Sequence, residues 1–70
     1  METNELIKTI RTQLGLSQEQ FAKKIHVAFC TVNRWENGKS VPNSMARVLL
    51  SDYMRKSGID EELIKEIESR

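Results

Sequence analysis

The residues best equipped for chemistry lie in the run "FCTVNRWEN". At about 100° per helical residue, Phe29, Cys30, Asn33, Arg34 and Asn37 share one side, while Ala28, Thr31, Val32 and Trp35 share the other. The second side is apolar enough to face a core. A merely solvated outer face would be richer in Lys and Glu. This one instead offers an aromatic ring, a thiol, two amides and a guanidinium. Such groups make contacts rather than covalent bonds, by hydrogen bonding and apolar packing.

Bond-making chemistry has little to work with. The chain has one His and one Cys, and no nucleophile is spaced against a base and an acid. Cys30 has no second Cys for a disulfide, and with His26 it supplies two of the four ligands that a structural zinc needs. The sequence therefore predicts no catalytic residues, no metal and no cofactor.

The elements that must hold this face are helices, because no segment alternates with period two and Gly15, Gly38, Pro42 and Gly58 punctuate the chain. Leu6, Ile7, Ile10 and Leu14 set a first helix over about residues 4–14, closed by Gly15. In "LSQEQF", Ser17 and Gln20 form a capping box flanked by Leu16 and Phe21 as a hydrophobic staple, so a second helix starts at Gln18 and ends near Ile25. A third covers about Phe29 to Asn37. Asn43 caps a fourth that runs to about Ser57. Asp60 caps a short fifth over about residues 60–69, stapled by Ile59 and Ile64. The expected fold is all-α, a compact five-helix domain spanning residues 1–70.

The link between the second and third helices is only His26, Val27 and Ala28. A short helix, a tight turn and a second helix with a contact-rich outer face describe a helix-turn-helix, whose second helix can enter the DNA major groove. On "IR" (Ile10, Arg11), "LGLSQEQFA" (Leu14 to Ala22), "TVNRWENG" (Thr31 to Gly38) and Pro42, the chain closely resembles the Cro and lambda-repressor type of helix-turn-helix domain, the XRE-like family, with a match over about residues 6–53. The resemblance implies that Phe29, Cys30, Asn33 and Arg34 read base edges and that Gln18 grips a phosphate. It also implies that Asn37, Gly38 and Lys39 form a loop clasping the DNA backbone, and that Arg11 and Glu36 form a structural ion pair. Four positions depart from the pattern. His26 stands where the turn usually has glycine, Ala28 where Ser or Thr usually caps, and Phe29 with Cys30 where polar readers are frequent.

Net charge is only +1, short of the pI above about 9 that marks a strongly basic nucleic-acid binder. The distribution is uneven: residues 1–57 carry nine Lys or Arg against five Asp or Glu, and residues 58–70 carry two against five. The acid gathers at the far end of a basic body. No apolar run reaches the roughly 18–20 residues of a membrane span, and the first residues lack the order of a signal peptide, so a cytoplasmic protein is expected.

The fourth helix has two apolar stripes. Met45, Val48, Leu49 and Tyr53 are expected to face the core, leaving Leu50 and Met54 on a flank beside Ala46. With Leu63, Ile64 and Ile67 of the last helix, this flank forms either a packing surface within the chain or a two-fold dimer interface; the pattern leaves both open. A single module covers only about 600–1,000 Å² of DNA, which favours a homodimer on a palindromic operator. The expected function is a sequence-specific double-stranded DNA-binding transcriptional regulator, a repressor. The alternatives are an autoregulating antitoxin with a toxin partner, or a protein-interaction module on the same fold.

Overall fold

The computed structural model describes residues 1–70 as five helices: α1 (Thr3–Gln13), α2 (Gln18–Lys24), α3 (Phe29–Glu36), α4 (Ser44–Lys56) and α5 (Glu61–Glu68). Local chemistry sets their starts. The Ser17 hydroxyl accepts from the Gln20 amide at 3.1 Å and the Gln20 side chain accepts from the Ser17 amide at 2.9 Å, the reciprocal box that opens α2. Asn43 accepts from the Ala46 amide to open α4, and Asp60 accepts from the Glu62 amide to open α5. Ala28 gives α3 no side-chain cap.

The first four helices end alike. Each is followed by a residue with positive φ (Gly15, His26, Gly38 and Gly58), and each shows the paired reversed hydrogen bonds of a Schellman motif. After α2 these run from His26 to the Lys23 carbonyl and from Val27 to the Ala22 carbonyl. His26 has φ 63° and thus fills a place that favours glycine. The stop signal is the same in all four, but in one the side chain strains it.

The core is one cluster of 13 side chains drawn from all five helices. Leu6, Ile7 and Ile10 of α1, Phe21 of α2, and Val32 and Trp35 of α3 are all buried there. Fully burying such an apolar side chain contributes roughly 1.5–3 kcal/mol, so Val32 and Trp35 anchor the inner face of α3 in the core. Ala28, expected on that face, is exposed at the helix start, where the turn carries it clear of the core.

Helix α4 overturns the expected facing. Ala46, Leu50 and Met54 point inward, with Leu50 and Met54 fully buried, while Met45 and Val48 are 72% and 65% exposed; of the expected stripe, Tyr53 packs partly buried against the core and Leu49 is half-buried. The reason lies in α5, which folds back on α4 in the same chain and buries Ile64 and Ile67 against it. Leu63 packs partly buried at the edge of the same cluster. Leu50, Met54, Ile64 and Ile67 are therefore spent inside one chain and present no surface to a second copy. No helix is long and apolar enough to cross a membrane.

Candidate nucleic-acid interface

With Val32 and Trp35 turned inward, α3 presents Phe29, Cys30 and Arg34 to solvent. Phe29 is 48% exposed. The Cys30 thiol is free. Arg34 is exposed and takes part in none of the chain's ion pairs. Gly38 and Lys39 follow in the tight Schellman turn, where the Lys39 amide donates to the Arg34 carbonyl at 2.9 Å and leaves the lysine side chain exposed. Lys23 and Lys24, in the last turn of α2, are exposed as well.

Behind this face Arg11 of α1 meets Glu36 of α3. The Arg11 Nε and Nη2 donate to the two Glu36 oxygens at 2.6 and 3.0 Å, a bidentate pair. Arg11 also donates from Nη1 to the Leu16 carbonyl at 2.9 Å, which ties the α1–α2 turn to the same point. The Glu36 side chain is only 4% exposed and that of Arg11 17%. Burial pushes the Glu36 carboxyl up, but hydrogen bonds from Arg11 and Gln18 and the Arg11 charge outweigh it and hold the group below its ordinary value. The same hydrogen bond to Glu36 raises Arg11.

Residues that the sequence offered as separate contacts form one line. Gln18 Nε2 donates to Glu36 Oε1 at 3.0 Å, Asn33 Nδ2 donates to Gln18 Oε1 at 3.1 Å, and Asn37 Nδ2 donates to Asn33 Oδ1 at 3.0 Å. Asn33 is thus bonded at both ends of its amide, which fixes the directions its NH₂ group and oxygen face. Part of this line was visible as Asn33 and Asn37, which are i,i+4 neighbours on a helix. The link back to Gln18 spans 15 positions and needed the fold. No three His, Cys, Asp or Glu side chains converge to hold a metal ion.

Comparison with known proteins agrees with this arrangement. The Helix-turn-helix family profile matches residues 7–57. The chain is similar to the HTH-type transcriptional activator BcrR of Enterococcus faecalis, at 36% identity over 53 residues, covering 76% of this chain and 26% of that protein. It is also similar to the antitoxin HigA-2 of Vibrio cholerae serotype O1, at 43% identity over 49 residues, covering 70% of this chain and 47% of the antitoxin. The chain thus spans about a quarter and about half the length of these two relatives. No solved structure matches it. The profile match, the two relatives and the α2–turn–α3 geometry together assign the chain to the helix-turn-helix DNA-binding family of the Cro and lambda-repressor type.

Proposed function

We propose that this protein is a sequence-specific transcriptional regulator that places α3 in the major groove of double-stranded DNA and represses by occupying a promoter. The observation that carries this reading is the unspent outer face of α3. Phe29 and Arg34 are exposed and Arg34 takes part in no ion pair, while the opposite side of the same helix anchors it in the core. Arg34 pairs with a guanine edge and Phe29 packs on a thymine methyl, with Cys30 beside them. Each good bidentate pair is worth about 1–3 kcal/mol of discrimination. Gln18, Asn37, Gly38 and Lys39 hold the phosphates on either side of the groove.

The protein acts as a homodimer on a palindromic operator, so that two small modules double the contact area. Since α5 consumes the inner stripe of α4, the exposed apolar side chains on and just before α4 that can serve an interface are Val41, Met45 and Val48. A second reading, an antitoxin that represses its own operon, is favoured by the 43% identity to HigA-2. In that case the same exposed side chains are available to a toxin.

Selection from random duplexes at about 150 mM salt, where nonspecific phosphate attraction is weak, tests the proposal. Enrichment of a palindrome with half-site centres about ten base pairs apart is the expected result. Folded protein that enriches no sequence overturns it.

A further inference from the structure

Two hydrogen bonds set Gln18, and both follow from the chemistry of Glu36. An ionised carboxylate can only accept, so Gln18 must turn its NH₂ group toward Glu36, which leaves its carbonyl oxygen facing α3. That oxygen needs a donor, and Asn33 turns its own NH₂ group to it. The Asn33 oxygen then faces outward along the helix and receives the Asn37 NH₂ group. Amide orientations are ordinarily ambiguous, but here one carboxylate dictates three in succession. Gln18 keeps one N–H that no partner in the chain claims.

We infer that Asn33 is a positioning residue for the DNA contact made at Gln18: Glu36 sets the amide polarity of Gln18, and Asn33 holds its rotamer by donating to its oxygen, so that the spare N–H of Gln18 is held ready for a backbone phosphate. This rests on the DNA-binding reading above and departs at one point from what the family resemblance implies, because Asn33 works through Gln18 instead of reading a base. Gln18 opens α2 and Asn33 sits near the middle of α3. The bond between them therefore also fixes the two helices of the motif relative to each other on their DNA-facing side.

The test uses the whole chain and the duplex enriched by the selection, together with single-base variants of that duplex. Asn33→Ala is expected to weaken binding about tenfold, the scale of one lost hydrogen bond, by a similar factor on every duplex and with the melting temperature close to that of the wild type. Asn33→Asp weakens binding more, because a carboxylate facing the Gln18 oxygen cannot donate to it. In a Gln18→Ala background, Asn33→Ala adds little further loss, since the residue through which it acts is gone. A changed base preference at one operator position in Asn33→Ala, or a full additional loss in the Gln18→Ala background, overturns the inference. Failure of the wild-type chain to prefer any duplex overturns the regulator reading itself and this inference with it, and is distinguished by the wild-type measurement alone.

Discussion

Arg11 and Glu36, 25 positions apart, meet through two hydrogen bonds of 2.6 and 3.0 Å and join α1 to the end of α3. The carboxylate is nearly inaccessible to water. Removing one partner therefore leaves a buried charge without compensation. Glu36→Ala is expected to cost about 3 kcal/mol, the lower end of what breaking a buried pair costs, because Arg11 keeps some access to solvent. Urea denaturation at neutral pH measures it.

The same carboxyl makes stability depend on pH with a definite sign. Glu36 titrates below its ordinary value of 4.5, so the native state favours the ionised form. Its contribution is present above that value and is lost as pH falls through the lowered native value. Glu36→Gln is expected to be less stable than wild type near neutral pH, and the difference should shrink below about pH 4.5. Denaturation of both proteins from pH 7 to 3 at fixed ionic strength reads that difference and cancels the other carboxylates. A gap that widens on acidification contradicts the assignment.

His26→Gly should raise stability by about 1 kcal/mol, since the left-handed backbone conformation costs a side-chain-bearing residue roughly 1–2 kcal/mol and glycine's greater freedom in the unfolded chain takes back part of the gain. For a domain of this size that is a rise of roughly 4–8 °C in melting temperature. Calorimetry checks it.

Leu50→Ala and Val48→Ala separate the two stripes of α4. Leu50 is fully buried and Val48 is 65% exposed, so truncating Leu50 should cost about 2–5 kcal/mol and truncating Val48 less than about 0.5. Equal losses would mean that α4 is rotated from the orientation described.

Arg34→Ala should leave thermal stability within about 0.5 kcal/mol of wild type, because the side chain is exposed and takes part in no ion pair. Sequence preference at one operator position should disappear, a loss of about 1–3 kcal/mol of discrimination. Competition binding against single-base operator variants measures it.

Helix boundaries were legible in the sequence because what sets them is local. The Ser17 and Gln20 box acts over three residues, and a positive-φ residue ends a helix through its own backbone. The two faces of α3 were legible too, since Val32 and Trp35 are the large apolar residues within it that can reach a core from one side. On α4 the local pattern was ambiguous. Both Met45–Val48–Leu49–Tyr53 and Ala46–Leu50–Met54 have helical spacing and apolar character, and periodicity gives no preference between two stripes of similar hydrophobicity. Only the docking of α5 decided it, because burying Ile64 and Ile67 against Leu50 and Met54 removes more apolar surface from water than a lone helix can. The line from Glu36 through Gln18 and Asn33 to Asn37 has the same origin. Its members carry hydrogen-bonding capacity in the sequence, but their partners lie up to 18 positions away, a distance at which only the packed helices bring them together.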